Sequence, residues 1–372
     1  MIRLIIARML SVPWLMVLAV ATLALIGALA LYSASQGSWS PWAERHIMRA
    51  AFGAFLMFSM MFVPIRLVYQ SSYLIYIAAI LVLIALQVIG FGQGSTRWIA
   101  IGPLNFQPSE PAKLAVVIAL ARYFADRQYD QLSSFLTYIP PFILIAIPFA
   151  LVVIQPDLGT SLMIALGGLI VIFAAGMPYR YIAMLMTAAI ASLPVLWANL
   201  YDYQKQRILT FFNPEDDLLG AGFQITQSKI ALGSGGIFGK GFLMGSQSQL
   251  NYLPEKQTDF VFTMIGEEFG LVGNLVVLGI YFLIFLSILR LSWRIHHRFG
   301  RLICIGVSGT LFLYVFVNVA MVTGIVPVVG VPLPLISYGG TAMLTIFIAL
   351  GFVNLMAIHG DLEDEDLQLK KR

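Results

Sequence analysis

The sequence predicts an all-α polytopic integral membrane protein with about ten transmembrane helices, and three observations support this fold class. Of the 372 residues, 59% are hydrophobic and 11% are charged, whereas soluble domains average roughly 45–50% and about 25%. The mean hydropathy is +0.88. Apolar stretches close to the roughly 20 residues that cross a bilayer recur along the chain. We therefore expect one helical membrane unit over residues 1–372, without a separate soluble domain.

The predicted spans begin close to the N-terminus. The first stretch has a basic start, an apolar middle and a small-residue end, so a cleaved signal peptide is the competing interpretation. Its apolar segment is too long for a signal peptide, and more spans follow. The lone Cys304 lies inside a span, which excludes an internal disulfide framework and a cysteine metal cluster. The predicted spans lie near 13–33, 46–63, 72–91, 112–125, 138–154, 158–176, 180–200, 260–290, 302–324 and 338–359.

Basic residues predict the orientation, because cytoplasmic loops retain Lys and Arg. With the N-terminus inside, the cytoplasmic side receives Arg3, Arg8, Arg66, Arg122, Arg127, Arg180, Arg290, Arg294, Arg298, Arg301, Lys370, Lys371 and Arg372. The outer side receives fewer: Arg45, Arg97, Lys205, Arg207, Lys229, Lys240 and Lys256. Both termini are then cytoplasmic, with a charged tail over 360–372, and the large loop 201–258 between helices 7 and 8 is extracytoplasmic. The net charge of +4 reflects this topology and not nucleic-acid binding.

The first predicted outer loop, residues 92–113, ends in PSEPAK. Ser109 is a candidate N-cap, and Glu110 suits the positive end of a helix dipole. A helix start does not explain Lys113, which lies on the same helix face as Glu110 and just inside the membrane. A lysine there indicates an ion pair, a polar cavity or an anionic ligand. Arg97, earlier in the loop, either snorkels to the surface or binds a ligand.

Two later segments carry turn residues between predicted spans. Asp157 follows Pro156 with almost no loop around it, so it is either the N-cap of the next helix or a residue that lines a cavity. Between the last two spans, PVVGVPLPLISYGG has too many prolines and glycines for an ordinary helix. A broken backbone at membrane depth must line protein or a wet cavity. Residues 337–340 therefore either cap the last helix or face a substrate groove.

The second predicted outer loop contains GSGGIFGKG, which resembles a glycine-rich phosphate cradle. It lacks the ordered G-x-x-x-x-G-K-[ST] pattern and a strand-helix unit, so a nucleotide site is only weakly indicated. Glycines with nearby cations can still surround a pyrophosphate at the membrane surface. The candidate cations are Lys205, Arg207, Lys229 and Lys240.

Asp259 directly precedes a predicted span. The structural interpretation is an N-cap. The functional interpretation is a general base, because a partly desolvated carboxylate at an interface can take a proton from a substrate hydroxyl. Glu255 and the adjacent Glu267 and Glu268 are rivals or supporting charges. Neighbouring carboxylates point to different helix faces, so at most one of that pair can face the cavity of Asp259.

A series of motifs resembles a known family along nearly the whole chain. In order they are RWIAIG, FQPSEPAK, QPDLGTS, YQKQR, GAGFQITQSKIALGSGGIFGKG, GSQSQLNYLPEKQTDFVF, GEEFGLVG and GVPLPLISYGG. They resemble the SEDS family, the shape, elongation, division and sporulation proteins, and GSQSQLNYLPE resembles the elongation member. Gln257 departs from the family, whose members commonly have His before Thr-Asp-Phe. A proton relay through this residue is therefore not carried over, whereas Asp259 is.

The resemblance implies a ten-helix peptidoglycan glycosyltransferase of the bacterial cytoplasmic membrane, which polymerises lipid II into β-1,4 glycan during cell-wall elongation. It implies Asp259 as the essential acidic residue, and Glu110 and Lys113 as a polar pair on the fourth helix. The implied partners are a class B penicillin-binding protein transpeptidase and other membrane proteins of the elongation machinery. A lipid II translocase and a scaffold for the transpeptidase are the alternative functions.

The expected chemistry gives each candidate residue a role. Displacement of a pyrophosphate with inversion needs one base, which we predict to be Asp259. The predicted substrate-binding residues are Arg97, Glu110, Lys113, Asp157, Lys205, Arg207, Lys229, Lys240 and Glu255. A divalent cation, Mg²⁺ or Mn²⁺, is a candidate aid to the leaving group, and no organic cofactor is expected.

Overall fold

The structure is a computed structural model that describes residues 11–89, 97–101, 104–200, 202–213, 220–250, 252–253 and 255–362. Within these ranges a helix lies at each predicted span, and the second outer loop adds three short helices. The helices are α1 (Trp14–Ala34), α2 (Trp42–Ser59), α3 (Ile65–Ile89), α4 (Ser109–Ala125), α5 (Ile139–Ile154), α6 (Leu158–Ala174), α7 (Tyr179–Asn199), α8 (Asp202–Phe212), α9 (Ala221–Ser234), α10 (Ser246–Gln249), α11 (Val261–Arg294), α12 (Arg298–Val322) and α13 (Gly340–Ile358); the strands are β1 (Ile99–Ile101) and β2 (Leu104–Phe106). The orientation residues Arg3, Arg8, Lys370, Lys371 and Arg372 lie outside the described ranges.

The helical membrane class is confirmed, while the number of ten spans stays a prediction. Six described helical segments are long and apolar enough to cross a membrane: α1, α3, α11, α12, α13, and α5 together with the 3-10 turn before it (Phe135–Ile154). Helices α6 and α7 contain shorter apolar segments. Helices α2 and α4 differ because they carry ionisable side chains, among them Glu44 and Arg45 on α2 and Glu110 and Lys113 on α4. On α4 these side chains are kept from lipid by the surrounding protein.

Helix α4 lies in the interior of the bundle, where it contacts α3, α5, α6, α12 and α13. Almost every one of its residues is buried. The polar first turn of α4 is therefore held in the middle of the protein. The predicted N-cap at Ser109 is wrong, because Pro108 already has helical backbone angles (φ −65°, ψ −24°) and occupies the cap position without a side-chain bond.

A short antiparallel hairpin in the first outer loop was not part of the all-α prediction. Strand β1 pairs with β2, with Ile99 opposite Phe106. The hydroxyl of Thr341, in the first turn of α13, accepts a hydrogen bond from Gln107 N at 3.1 Å and donates one to Asn105 O at 2.9 Å. These two bonds hold the loop after the hairpin against the start of α13.

Helix α11 is interrupted at Gly270, where the backbone is not helical (φ 68°, ψ −163°). In an uninterrupted α-helix, Leu271 N would donate to Glu267 O, and Val272 N would donate to Glu268 O. The interruption leaves these four backbone groups in need of other partners. Unpaired backbone groups that are kept from water are costly, so a break of this kind requires hydrogen-bond partners from elsewhere in the protein.

A segment of the second outer loop, residues 236–241, supplies the partners and is called the strap. Its bonds run from Leu271 N to Gly236 O (2.9 Å), from Val272 N to Ile237 O (3.1 Å), from Lys240 N to Glu267 O (3.0 Å) and from Gly241 N to Glu268 O (3.0 Å). The approach needs glycine: at Gly239 (φ +82°), an added Cβ would lie 2.1 Å from Glu268 O. The strap thus completes the backbone hydrogen bonding of α11.

Candidate active site

A polar cavity of about 280 Å³ lies between the outer loops and the starts of α4, α6 and α13, and α12 contributes Tyr314 to its lining. Six ionisable side chains that the sequence singled out line it: Arg97, Glu110, Lys113, Asp157, Arg207 and Asp259. Its uncharged polar lining includes Trp98, Gln107, Thr160, Tyr314 and Tyr338. The fold therefore brings together groups from separate parts of the chain.

Glu110, Lys113 and Tyr314 form a closed hydrogen-bonded cluster on one wall of the cavity. Lys113 Nζ donates to Glu110 Oε1 at 2.7 Å and also to the hydroxyl oxygen of Tyr314, which in turn donates to Glu110 Oε2. The side chains of Glu110 and Lys113 are only 4% and 5% exposed. A buried ion pair is stable only when its remaining donors and acceptors also form hydrogen bonds. The hydroxyl group of Tyr314 forms such bonds with both Lys113 and Glu110.

Asp157 fulfils both of its predicted roles in the structure. As the N-cap of α6 it accepts from Thr160 N at 3.2 Å, and its other oxygen accepts from Thr160 Oγ1 at 2.9 Å. Gln107 Nε2, from the first outer loop, donates to the same carboxylate at 3.2 Å. Asp157 also lines the cavity. The carboxylate therefore ties the start of α6 to the first outer loop.

Two arginines contribute positive charge to the cavity. Arg97 donates from Nε to Gln155 O at 2.9 Å and from its terminal nitrogen to Pro156 O, so its guanidinium is fixed by the connection between α5 and α6 instead of snorkelling outwards. Arg207 reaches the cavity from α8. Within the described ranges, neither arginine is in an ion pair with a carboxylate. Both charges can therefore act on an anionic ligand.

The carboxylate of Asp259 is half-buried at the cavity wall, just before α11. The N-cap of α11 is Phe260, and no side chain caps this helix start, so the predicted N-cap role of Asp259 is wrong. The helix begins one residue too late for the carboxylate to reach its first amides. Burial raises the pKa of Asp259 to about 6; the negative charge of Glu255 adds to the increase, and Arg207 opposes it. A base with such a pKa is ionised at neutral pH and is still strong enough to accept a proton.

The backbone that carries Asp259 is held by a row of hydrogen bonds to three successive carbonyl groups. The bonds run from Tyr338 N to Gln257 O (2.8 Å), from Ser337 Oγ to Thr258 O and from Asn318 Nδ2 to Asp259 O (2.9 Å). Asn318 is fully buried and also donates to Val331 O at 2.7 Å. The non-helical segment before α13 and the amide of α12 thus fix the position of the carboxylate. Residues 338–340 of that segment line the cavity themselves.

A second cavity of about 370 Å³ adjoins the polar one. Its lining is mainly apolar, with Leu162 and Leu166 from α6, Ile208 from α8, and Phe316 and Val317 from α12. Both cavities are lined by Arg97, Asp157, Met163, Arg207 and Val329. A ligand with a charged group and a hydrocarbon chain could therefore place each part in a matching environment.

Four predicted substrate-binding residues are absent from the described lining of the polar cavity: Lys205, Lys229, Lys240 and Glu255. Lys240 instead pairs with the buried Glu267 at 2.7 Å and donates to Ser246 Oγ at 2.7 Å. Lys229 is exposed on α9, and Glu255 is an exposed neighbour that acts on the pKa of Asp259. Direct contact of these residues with substrate stays a prediction, and the glycines around Lys240 form the strap and not a cavity wall.

Several polar residues of the site were not among the candidates that the sequence predicted. Tyr314 and Asn318 lie in the apolar segment LFLYVFVNVAM of α12, and Gln107 and Thr160 contact Asp157. An amide or hydroxyl inside an apolar span was the available signal, because such groups need partners in a membrane. Glu267 and Glu268 do not line the cavity; Glu268 accepts a hydrogen bond from Ser33.

The predicted divalent cation finds no protein ligand set among the described residues. Within them, no group of three or more His, Cys, Asp or Glu side chains is placed to hold a metal ion. Glu110 is bonded to Lys113 and Tyr314, and Asp157 is bonded to Thr160 and Gln107. The divalent cation therefore stays a prediction, and the positive charges that the described residues bring to the cavity are Arg97, Arg207 and Lys113.

Comparison with known proteins gives consistent matches over nearly the whole chain. The family model for FtsW, RodA and SpoVE, described as "Cell cycle protein", matches residues 12–361. The chain is 44% identical to "Peptidoglycan glycosyltransferase MrdB" of Escherichia coli (strain K12), over 92% of each chain. It is 31% identical to "Peptidoglycan glycosyltransferase RodA" of Treponema pallidum (strain Nichols), over 93% of this chain and 97% of the relative.

Among solved structures, one match is entitled "Structural coordination of polymerization and crosslinking by a peptidoglycan synthase complex". It has a TM-score of 0.81 and 30% sequence identity, and the match covers 94% of this chain and 98% of that one. The resemblance inferred from the motifs is confirmed by these findings. The fold is shared along nearly the entire length of both chains.

Proposed function

We propose that this chain, which belongs to the family of FtsW, RodA and SpoVE, is a peptidoglycan glycosyltransferase that polymerises lipid II into β-1,4 glycan strands during cell-wall elongation. The names of its relatives support the activity. One observation carries the proposal for the site: Asp259, with a raised pKa, lines the same cavity as Arg97, Arg207 and Lys113. A base and several cations are what a glycosyl transfer from a pyrophosphate requires.

In the proposed reaction, Asp259 accepts the proton of the acceptor sugar hydroxyl. The hydroxyl oxygen forms a bond to the anomeric carbon of the donor, while the bond from that carbon to the pyrophosphate oxygen breaks. The pyrophosphate leaves with the bonding electrons, and the α-linked donor becomes a β-linked product. A second carboxyl group acting as acid is unnecessary, because a pyrophosphate leaves as a stabilised anion.

Positive charge in the cavity stabilises the departing pyrophosphate. Arg97 and Arg207 are in no ion pair with a described carboxylate, so they can bind phosphate oxygens with charge-assisted hydrogen bonds. Lys113 can add its charge from the cluster with Glu110 and Tyr314. No step is assigned to a cation, because the described residues do not form a ligand set for one.

The apolar cavity supports a lipid-linked substrate. The pyrophosphate of such a substrate would lie near Arg97 and Arg207, which line both cavities, and its hydrocarbon chain would extend along Leu162 and Phe316. This placement leaves the sugar beside Asp259.

The proposed setting is the bacterial cytoplasmic membrane, with both termini cytoplasmic and the polar cavity on the outer side. The proposed partner is a class B penicillin-binding protein transpeptidase. The structural match to a protein described in terms of a peptidoglycan synthase complex supports a partner that crosslinks the polymer. The basic residues of the predicted inner loops support the orientation.

The test is gel-resolved glycan formation from purified lipid II in detergent, with and without the transpeptidase. We expect Asp259→Asn to lower polymerisation by at least about 10²-fold, since it removes the base, while partner binding is retained. Asp202→Asn, the same change at an exposed carboxylate of α8, is the matched control and should be active. Near-normal synthesis by Asp259→Asn would refute the base; no synthesis by the wild type would favour the translocase or scaffold.

A further inference from the structure

The strap has a fixed height relative to the membrane-spanning part of α11. Its carbonyl groups at Gly236 and Ile237 accept from Leu271 N and Val272 N, the first amides after the break. The strap is therefore attached where the uninterrupted, uncharged part of α11 begins. Since these are backbone bonds within a helix break, the strap cannot shift along α11 without losing them.

The length of α11 places this point at a membrane boundary. At about 1.5 Å per residue, the helix covers about 28 Å between Leu271 and Arg290, which matches the roughly 30 Å of a hydrocarbon core. The sequence between these two residues has no ionisable side chain other than Tyr281. Arg290 and Arg294 mark the opposite boundary. The strap consequently lies at the boundary on the side of the Asp259 cavity.

Two large apolar side chains of the strap point away from the protein. Ile237 is 61% exposed and Phe238 is 82% exposed. On α11, Leu271 and Val272, whose amides bond to the strap, and Leu275 are also exposed. The only charged side chain of the strap, Lys240, is turned to the buried Glu267. The strap and the upper part of α11 therefore form one continuous apolar surface.

We propose that Ile237 and Phe238 insert into the lipid at this boundary and anchor the second outer loop to the membrane surface. The exposed face of a membrane-spanning helix is covered by hydrocarbon, and the side chains of the strap continue that face without an intervening charge. Aromatic and aliphatic side chains are stabilised at this depth. The anchor would hold the loop that carries Arg207 and leads to Asp259 at a constant height above the bilayer.

The proposal depends on the fold and on membrane insertion, not on the proposed enzymatic reaction. It can be tested by spin labelling in liposomes of phosphatidylethanolamine and phosphatidylglycerol, first without any partner and then with the transpeptidase added. Phe238→Cys carries the label, because the native Cys304 is fully buried and the parent protein should take up none. Val276→Cys, exposed in the middle region of α11, is the lipid reference, and Asp202→Cys on α8 is the water reference.

For each label, the measured quantity is the rate of collisions with oxygen divided by the rate of collisions with a water-soluble nickel complex. We expect this ratio at position 238 to be several-fold higher than at position 202, the water reference. It should be closer to the ratio at position 276, the lipid reference. A ratio equal to that at 202 would overturn the proposal. A label at position 238 that collides with nickel in the free protein, and stops doing so only when the transpeptidase is added, would also overturn the proposal. That result would identify a protein interface. If Phe238→Cys does not fold, Ile237→Cys tests the same surface with the same outcomes.

Discussion

The carboxylate of Asp259 has a pKa of about 6 because burial penalises its charge and Glu255 lies nearby. At pH 7 about nine-tenths of the carboxylate is ionised. We expect polymerisation to fall as the pH decreases through about 6, since a protonated carboxyl group cannot accept the proton of the acceptor hydroxyl. Glu255→Gln removes a charge that raises the pKa, so the acid limb of the pH–rate profile should move to lower pH.

The matched control for this prediction is Glu44→Gln, which changes an exposed carboxylate on α2. It should leave the acid limb of the profile where the wild type has it. A limb that moves to higher pH in Glu255→Gln, or that does not move at all, would contradict the assignment of this limb to Asp259.

Tyr314 is the residue that completes the cluster of Glu110 and Lys113. Tyr314→Phe removes one donor and one acceptor beside a buried ion pair, which costs about 1–3 kcal/mol for each buried polar group left without a partner. We expect a lower thermal midpoint and a higher KM for lipid II, because Lys113 loses its fixed position. Tyr281→Phe is the control: it also removes a buried hydroxyl, one that donates to Pro334 O outside the described lining of the cavity.

Both tyrosine variants should lower the thermal midpoint in detergent, but only Tyr314→Phe should raise KM. An equal change of KM in both variants would show that Tyr314 acts through general stability alone.

At the scale of elements, helix α12 positions the loop that carries Asp259. Asn318 joins Asp259 O to Val331 O, and thereby joins the start of α11 to the segment before α13. We expect Asn318→Leu to lower kcat by about 10-fold to 100-fold, because small displacements of a catalytic group have effects of this size. The measurement is initial-rate polymerisation at saturating lipid II.

Asn354→Leu is the matched control for this prediction. Asn354 is fully buried on α13, and its side-chain atoms have no hydrogen-bond partner among the described residues. The same substitution there should leave kcat unchanged. A wild-type kcat for Asn318→Leu would show that the row of hydrogen bonds is not needed to position Asp259.

The strap and α11 form a second pair of elements that depend on close backbone contact. In Gly239→Ala the new methyl group would meet Glu268 O, and the backbone would remain at φ +82°. We expect a loss of more than about 1 kcal/mol in stability, measured as a lower thermal midpoint in detergent. In Gly233→Ala, by contrast, the methyl group meets no atom within 4 Å.

Gly233 lies within α9, where alanine is favoured over glycine by up to about 1 kcal/mol. This variant should therefore keep or raise the thermal midpoint. A pair of variants with the same midpoint would contradict the role given to the strap.

At the scale of the whole molecule, the fold keeps the charged side chains of the site inside protein, away from lipid, while an apolar cavity adjoins them. Helix α4 is surrounded by other helices, so the ion pair of Glu110 and Lys113 lies inside protein. The polar cavity adjoins an apolar one along a shared wall that contains Arg97 and Arg207. In the proposed reaction, this arrangement lets a lipid-linked pyrophosphate bind close to the bilayer without exposing the charged residues to hydrocarbon.

The membrane class and the positions of the helices could be predicted from sequence, and Asp259, Glu110 and Lys113, which line one cavity, could be singled out as candidate site residues. The reason is that transfer into a membrane penalises every charge, so runs of apolar residues and their few ionisable exceptions are informative residue by residue. The interruption of α11 was missed because Gly270 stands in an otherwise helical pattern. The cap positions at Ser109 and Asp259 could not be predicted from sequence, because the observed caps, Pro108 and Phe260, each lie one residue away and use no side chain.

Only the tertiary structure decided which cations share a cavity with Asp259. Arg97, Arg207 and Lys113 line it, whereas Lys240 is paired with Glu267. It also decided that Tyr314 completes the buried pair on α4. These contacts join residues that are far apart in the chain, so they cannot be predicted from the local composition around either residue. The sequence by itself determined which side chains are costly to place in a membrane. Packing between helices determined which partners surround those side chains and compensate the cost.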